Sequence, residues 1–401
     1  MLQTNYIHVP YGKTVHGEEE IEAVVNVLRT STQMGKHVRE MEERVAALYA
    51  KKYGIMVNSG SSALYLAADL LDFEPGAEII TPALTFSTTV APLVKKGWVP
   101  AFVDVEEGTY NVDAAKVEAM ITPKTKAMVI PNLIGNLPDW QQLRAIADKY
   151  GLFVLEDSAD TIGAEIGGSS SGRFTDMSTT SFYGSHIINC AGNGGMLCVN
   201  TDAFYNRGRL LRSWGRSSSL FVESEKIENR FNVEIEGIPY DAKFVFEEPG
   251  YNIEPSEMGA AFGIVQLNKL AQNIDTRTAN YHRMREFFTQ YEEFFILPKQ
   301  LPDSRTGWLA FATTLRATAP FVRRDMQIFL EKRNVQTRTV FTGNILRQPG
   351  FKNVAHKAAA EGYPEADKVM RGGMLLACHH GLSDAQIAHV MESVTEFMKS
   401  I

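Results

Sequence analysis

The sequence predicts an α/β fold: an open, mostly parallel sheet with helices on both faces, followed by a smaller α/β domain. Three observations carry this. Between residues 55 and 199 short apolar runs alternate with stretches of helical period, the pattern of βαβ units. The runs at 126–131 and 151–155 read as buried strands. Beyond Leu297 the texture changes to strand (308–315), helix (322–333), strand (337–341) and a terminal helix (383–400). The expected division is a large domain of residues 1–275 and a small domain of residues 276–401.

The elements follow in order. Ile21, Val24, Val25 and Leu28 make 17–31 an amphipathic helix, and Val38, Met41, Val45 and Leu48 make a second, stopped at Gly54. Strand 55–57 runs through Asn58-Ser-Gly-Ser-Ser62 into a helix at 63–71. Strand 78–81, a helix ending near 96–97, strand 98–105, a helix at 112–121, strand 126–131, a helix at 139–150 and strand 151–155 come next. A β-rich run at 177–183, a strand at 196–199 and a helix at 201–214 complete the region. Residues 217–241 are polar and weakly patterned, an excursion over the surface or toward a partner. A long helical pattern covers 256 to about 294.

Composition excludes several classes. The chain has 401 residues, 44% hydrophobic and 22% charged, which is ordinary for a soluble globular protein. Its formal charge of −7 and the absence of a basic cluster interleaved with aromatics argue against nucleic acid. The first residues lack a signal peptide, and no apolar run reaches the roughly 18–20 residues that span a bilayer. Cys190, Cys198 and Cys378 are too scattered for a disulfide framework or a metal site, so a cytoplasmic setting is expected.

Strand 55–57, the small-residue turn 58–62 and the following helix together make an anion site, because free amides and the helix dipole favour phosphate. The alternative is an ordinary β–α turn. In parallel sheets ligands sit at the carboxyl ends of the strands. That gathers this turn, Phe86, Asn136, Asp157, Asp160 and the loop carrying His186 around one crevice. The loop, Ser181-Phe-Tyr-Gly-Ser-His186 through Gly194-Gly195, has the form of one that holds a cofactor lysine for pyridoxal phosphate. There is no lysine between Lys149 and Lys226. An imidazole cannot form the Schiff base, but with a pKa near 7 it can shuttle a proton. Cys190 and Cys198, nearby, are read as small apolar fillers.

Over nearly its whole length the chain resembles the fold-type I nucleotide-sugar aminotransferases, which use pyridoxal phosphate. The resembling marks are Asn58-Ser-Gly-Ser-Ser-Ala63, Thr81-Pro-Ala-Leu-Thr-Phe86, Glu156-Asp157, Ser181-Phe182, Gly194-Gly195 and Gly250-Tyr-Asn252. Histidine in place of the lysine resembles one branch, the nucleotide 4-keto-6-deoxyhexose 3-dehydratases of deoxysugar and lipopolysaccharide O-antigen synthesis. Thr109-Tyr-Asn-Val-Asp113, Gly135-Asn136 and Gly343-Asn344-Ile-Leu-Arg347-Gln-Pro349 are further marks of it.

The resemblance implies His186 as the catalytic base, Asp157 as partner of the pyridine nitrogen and Phe86 as the ring stacked on the cofactor. It also implies Gly60, Ser61 and Ser181 as phosphate ligands, with Asp160 near the ring hydroxyl. Asn252 is implied as a phosphate contact given by the neighbouring subunit of a homodimer with shared sites. Asn344 and Arg347 are implied as substrate contacts, with a structural role for Arg347 as the alternative. The cofactor would work as pyridoxamine 5'-phosphate, with a nucleotide-linked 4-keto-6-deoxy sugar as substrate and an amino acid such as glutamate as amino donor. Some 3-dehydratases carry an iron–sulfur cluster on cysteines after a Trp-Gly-Arg. Here Trp214-Gly-Arg216 is followed by Ser217-Ser-Ser-Leu-Phe-Val, so no cluster is expected. A 4-aminotransferase and a non-catalytic cofactor- or sugar-binding regulator are the alternatives. Cys378-His379-His380 matches no pattern of the family, and its role is open.

Overall fold

A computed structural model describes residues 6–221 and 225–401. Residues 1–5, read above for a leader, and residues 222–224 of the surface excursion lie outside the described residues. The central sheet has seven strands: β1 (Tyr53–Val57), β2 (Glu78–Pro82), β3 (Val99–Val103), β4 (Thr125–Pro131), β5 (Phe153–Ser158), β6 (Met177–Ser181) and β7 (Gly195–Val199). Their order is β1-β7-β6-β5-β4-β2-β3. Pairing is parallel from β3 through β2, β4 and β5 to β6, and β7 runs antiparallel to both its neighbours. The sheet is therefore mostly parallel, and all strands but β7 end on the same edge.

The strands read as apolar runs because both faces are covered. Alternate residues separate cleanly. Ile79, Val129 and Leu155 face α3 (Gly60–Leu71), which follows α1 (Glu18–Thr30) and α2 (Lys36–Leu48) in the chain. Ile80, Met128, Ile130 and Val154 instead face a helix at Trp140–Tyr150 through its Trp140, Leu143 and Ile146. A second sheet, of four strands, lies C-terminal: Phe295–Ile296, Ala310–Leu315, Gly373–Ala377 and Arg338–Thr339, in that spatial order. Its core also takes Val9, Leu84 and Phe102 from the N-terminal part. Residues 275 and 276, at the expected domain division, both lie inside one continuous helix, Leu270–Thr289.

Several expectations needed correction. The helical pattern at 112–121 yields one turn, Ala114–Val117, and tightens to a 3-10 turn at Glu118–Met120. The pattern at 256–294 is two helices, Glu257–Asn268 and Leu270–Thr289, parted at Lys269. Strand β5 starts at Phe153 because Gly151, at φ 63°, caps the preceding helix, and the strand then continues through Asp157. Helix α3 begins at Gly60, not at 63, which puts Gly60 and Ser61, two of the predicted phosphate residues, in its first turn. The 217–241 excursion carries a hairpin, Val233–Ile235 with Ile238–Tyr240, and an exposed apolar surface that includes Ile227, Phe231 and Ile238.

The edge strand β1 is held by a buried ion pair. Arg212 Nη1 donates to Glu42 Oε1 at 2.6 Å and to the Met56 carbonyl at 2.9 Å, and Met56 N–H donates back to Glu42 at 2.9 Å. Both side chains are at most one-tenth exposed. Removing one partner from such a pair leaves an uncompensated charge and costs about 3–5 kcal/mol, whereas an apolar replacement of both is often neutral. Arg212→Met is therefore expected to lower the denaturation midpoint sharply, and Glu42→Leu/Arg212→Met to recover most of the loss. Urea denaturation of the three proteins checks this, and equal midpoints for single and double variants would refute it.

Candidate active site

A cavity of about 400 Å³ opens where β1, β2, β4, β5 and β6 end. Gly60, Ser61, Phe86, Asp157, Asp160, Ser181 and His186, all predicted from the sequence, line it.

One end is built for an anion. Ser59 caps α3 by accepting from Ser62 N–H at 3.1 Å. Gly60 and Ser61 hold the first helical positions, so their amides have no carbonyl partner within the helix, and the dipole makes this a seat for phosphate. Close approach fixes the glycine: a Cβ at Gly60 would lie 2.6 Å from Ser181 Cβ. Gly195 is fixed likewise, since its Cβ would meet the Ser59 backbone at 2.3 Å.

The other end is acidic. Successive residues of β5 point to opposite faces. Glu156 turns inward and accepts from Asn132 Nδ2, Ser158, Ser171 and Ser178 hydroxyls at 2.5–2.8 Å. Asp157 turns to the cavity, where Oδ2 accepts from Thr89 Oγ1 at 2.7 Å and Oδ1 from Ala159 N–H at 3.2 Å. Asp160 accepts from Ile134 N–H at 2.9 Å. Burial raises both carboxyls; Asp160, also repelled by Asp157, is pushed up to about 7. No ion pair among the described residues involves either. Two buried carboxylates without a cation fit a cationic ring nitrogen. Above them Phe86 presents an open ring, 49% exposed and edge-on to Phe341 at 5.9 Å, so it is not a core residue. Phosphate cradle, open aromatic face and buried acids together suit a planar, phosphate-bearing pyridinium.

His186 hangs over this cavity on the loop between β6 and β7. The loop is closed at its neck by Phe182 N–H to Gly194 O and Gly184 N–H to Gly192 O, both 2.9 Å. Ile187, Ile188 and Cys190 anchor it in the core. The Nδ1 of His186 lies 3.2 Å from the Ser181 carbonyl. A carbonyl only accepts, so Nδ1 carries the proton and Nε2 is left with a free lone pair. Burial lowers the imidazole to about 4, not the expected value near 7, with Arg277 adding to the effect. It is neutral at physiological pH, a state in which Nε2 can take a proton. No lysine lines the cavity.

Four sequence candidates lie elsewhere. Asn136 is fully buried and donates to the Thr109 and Lys299 carbonyls at 2.9 and 2.8 Å. Asn252 is exposed, in a bridge with Ser213 outside the cavity. Asn344 donates to Asp367 at 2.8 Å and caps the turn that holds Arg347, and Arg347 pairs with the same Asp367. Conversely, Tyr11, Thr89, Leu309 and Phe341 line the cavity without having been singled out. Thr89 alone left a signal, one helical turn beyond Phe86.

Residues 14–395 match the DegT/DnrJ/EryC1/StrS aminotransferase family. Over 400 residues the chain is 33% identical to dTDP-4-dehydro-2,6-dideoxy-D-glucose 3-dehydratase of Saccharopolyspora spinosa, covering 97% of this chain and 86% of that one. It is 27% identical to GDP-perosamine synthase of Caulobacter vibrioides, covering 92% and 91%. Among solved structures, E. coli GDP-4-keto-6-deoxy-D-mannose-3-dehydratase with bound hydrated PLP superposes with a TM-score of 0.87 at 26% identity, over 97% of this chain and 99% of that one. With a matching fold and a family match spanning nearly its whole length, the chain belongs to the DegT/DnrJ/EryC1/StrS aminotransferase family.

Proposed function

We propose that the protein is a pyridoxamine 5'-phosphate-dependent dehydratase. It removes the 3-hydroxyl of a nucleotide-linked 4-keto-6-deoxyhexose to give a 4-keto-3,6-dideoxy sugar, and an amino acid such as glutamate re-aminates the cofactor. One observation carries this reading: a neutral His186 with Nε2 free, in a cavity that offers a cation seat but no lysine. When bound, the cofactor supplies an amine that condenses with the sugar ketone and a protonated ring that accepts an electron pair. Gly60, Ser61 and Ser181 would hold the phosphate, Phe86 would cover the ring face, and Asp157 would keep a proton on the ring nitrogen. His186 takes a proton on Nε2 and, as imidazolium, returns it to the departing hydroxyl. Its low pKa makes that imidazolium a strong acid, which favours the second step and disfavours the first.

Asn252 and the exposed apolar residues at 227–246 fit a homodimer in which Asn252 reaches the partner's phosphate site. Arg347 engages Asp367 through Nε and Nη2, and as a substrate contact it would act through Nη1. A 4-aminotransferase is the second reading, favoured by the family as a whole. The product decides between them, because only the aminotransferase leaves nitrogen on the sugar.

His186→Asn is expected to lose on the order of 10²–10⁴-fold in dehydration rate, the span of general acid–base catalysis. His186→Lys should redirect the reaction toward a 4-amino sugar. Mass spectrometry of products from nucleotide 4-keto-6-deoxyhexoses with glutamate reads both. An Asn variant with wild-type dehydration would show that another residue moves the proton.

Asn252→Ala is expected to weaken cofactor retention by a dimer that otherwise assembles normally. Equilibrium dialysis beside sedimentation tests this, and a fully active monomer would contradict it.

Titration gives a third check. The folded pKa of His186 lies below the ordinary value of about 6.5. The neutral form thus contributes stability present above that value and lost as pH falls through about 4. Imidazole resonances of the apoprotein should show His186 neutral at pH 5.5, and a midpoint near 6.5 would refute the burial argument.

A further inference from the structure

The helix Leu270–Thr289 runs beneath the His186 loop and carries three buried polar residues spaced four and three apart, Asn273, Arg277 and Asn280, on one face. Asn273 Nδ2 donates to the Ile187 carbonyl at 3.2 Å. Arg277 Nη2 donates to the His186 carbonyl at 3.1 Å and reaches that of Ser185 at 3.5 Å. Its Nη1 donates to the Trp308 and Leu309 carbonyls at 3.1 and 3.3 Å, and its Nε to His380 Nδ1 at 3.1 Å. Asn280 donates to the His379 carbonyl at 3.1 Å.

Arg277 is wholly buried, and no ion pair among the described residues involves it. A buried cation without a counter-ion is costly, and only a full set of acceptors offsets it. Packing alone would be served by an apolar residue here. What the guanidinium does instead is tie three segments together at fixed distances: the loop of His186, the start of the strand that brings Leu309 to the cavity wall, and the segment Cys378-His379-His380. The last of these is the acceptor seat, with His380 Nδ1 unprotonated and Cys378 Sγ 3.4 Å from the Arg277 carbonyl.

We infer that this stripe of donors, with Arg277 at its centre and His380 as its seat, is the positioning element that sets the height and tilt of the His186 imidazole over the cavity. The inference rests on the reading of His186 as the proton-transferring base. It gives the Cys378-His379-His380 segment a role, in holding the arginine rather than in touching substrate.

The test uses protein loaded with pyridoxamine 5'-phosphate for kinetics and the apoprotein for ¹⁵N shifts of the His186 ring. The wild type should show one tautomer, protonated at Nδ1. Arg277→Met should lower kcat about 10–100-fold with KM within about threefold, the signature of a misplaced group, and His186 should populate both tautomers. Arg277→Lys, reaching fewer carbonyls, should fall between. Asn273→Ala, which removes one bond only, should move both readouts in the same direction and decides the matter if Arg277→Met does not fold. Folded variants with wild-type kcat and a single tautomer would overturn the inference. Tautomer mixing in the variants of a protein that dehydrates no 4-keto sugar would sink the proposed reaction and leave the positioning intact.

Discussion

The site depends on how strand β5 satisfies two adjacent buried carboxylates. Glu156 is anchored in the core by an amide and three hydroxyls. Asn132 extends this network by accepting from Trp140 Nε1 at 2.8 Å, so the helix on that face is locked to the same strand. Because side chains alternate along a strand, fixing Glu156 downward fixes Asp157 upward. A slip of one residue would turn Asp157 into the core and Glu156 into the cavity. The parallel neighbours β4 and β6 pair along the same residues, Pro131 with Asp157 and Asp157 with Thr179, so the register is held from both sides.

Much of this was legible in the sequence because the signals are local. The 58–62 turn needs only a strand end, small residues and a helix start, and Asp157 needs only the end of a buried run. His186 was visible as a substitution within a recognisable loop. What could not be read depends on contacts made across the fold. Tyr11, Leu309 and Phe341 reach the cavity from segments distant in sequence. Asn136, polar and next to a glycine, read as a crevice residue, but its amide joins the carbonyls of residues 109 and 299. The break at Lys269 carries neither glycine nor proline, so both helices share one periodic pattern. The acidity of His186 follows from burial, a property of the packed loop and not of its sequence.

Charge is distributed unevenly around the cavity, and the unevenness has one direction. On the β5 side two carboxyls are held without a cation, both pushed upward by burial. The buried Arg277 lies behind the carbonyls of the His186 loop and adds a little to the burial that keeps the imidazole from charging. In the proposed reaction this arrangement would favour a ring whose protonated nitrogen lies toward Asp157 and whose phosphate lies at the first turn of α3. A cationic ring nitrogen beside Asp157 would lower the pKa of that carboxyl. Burial thus holds the His186 imidazole in its neutral form.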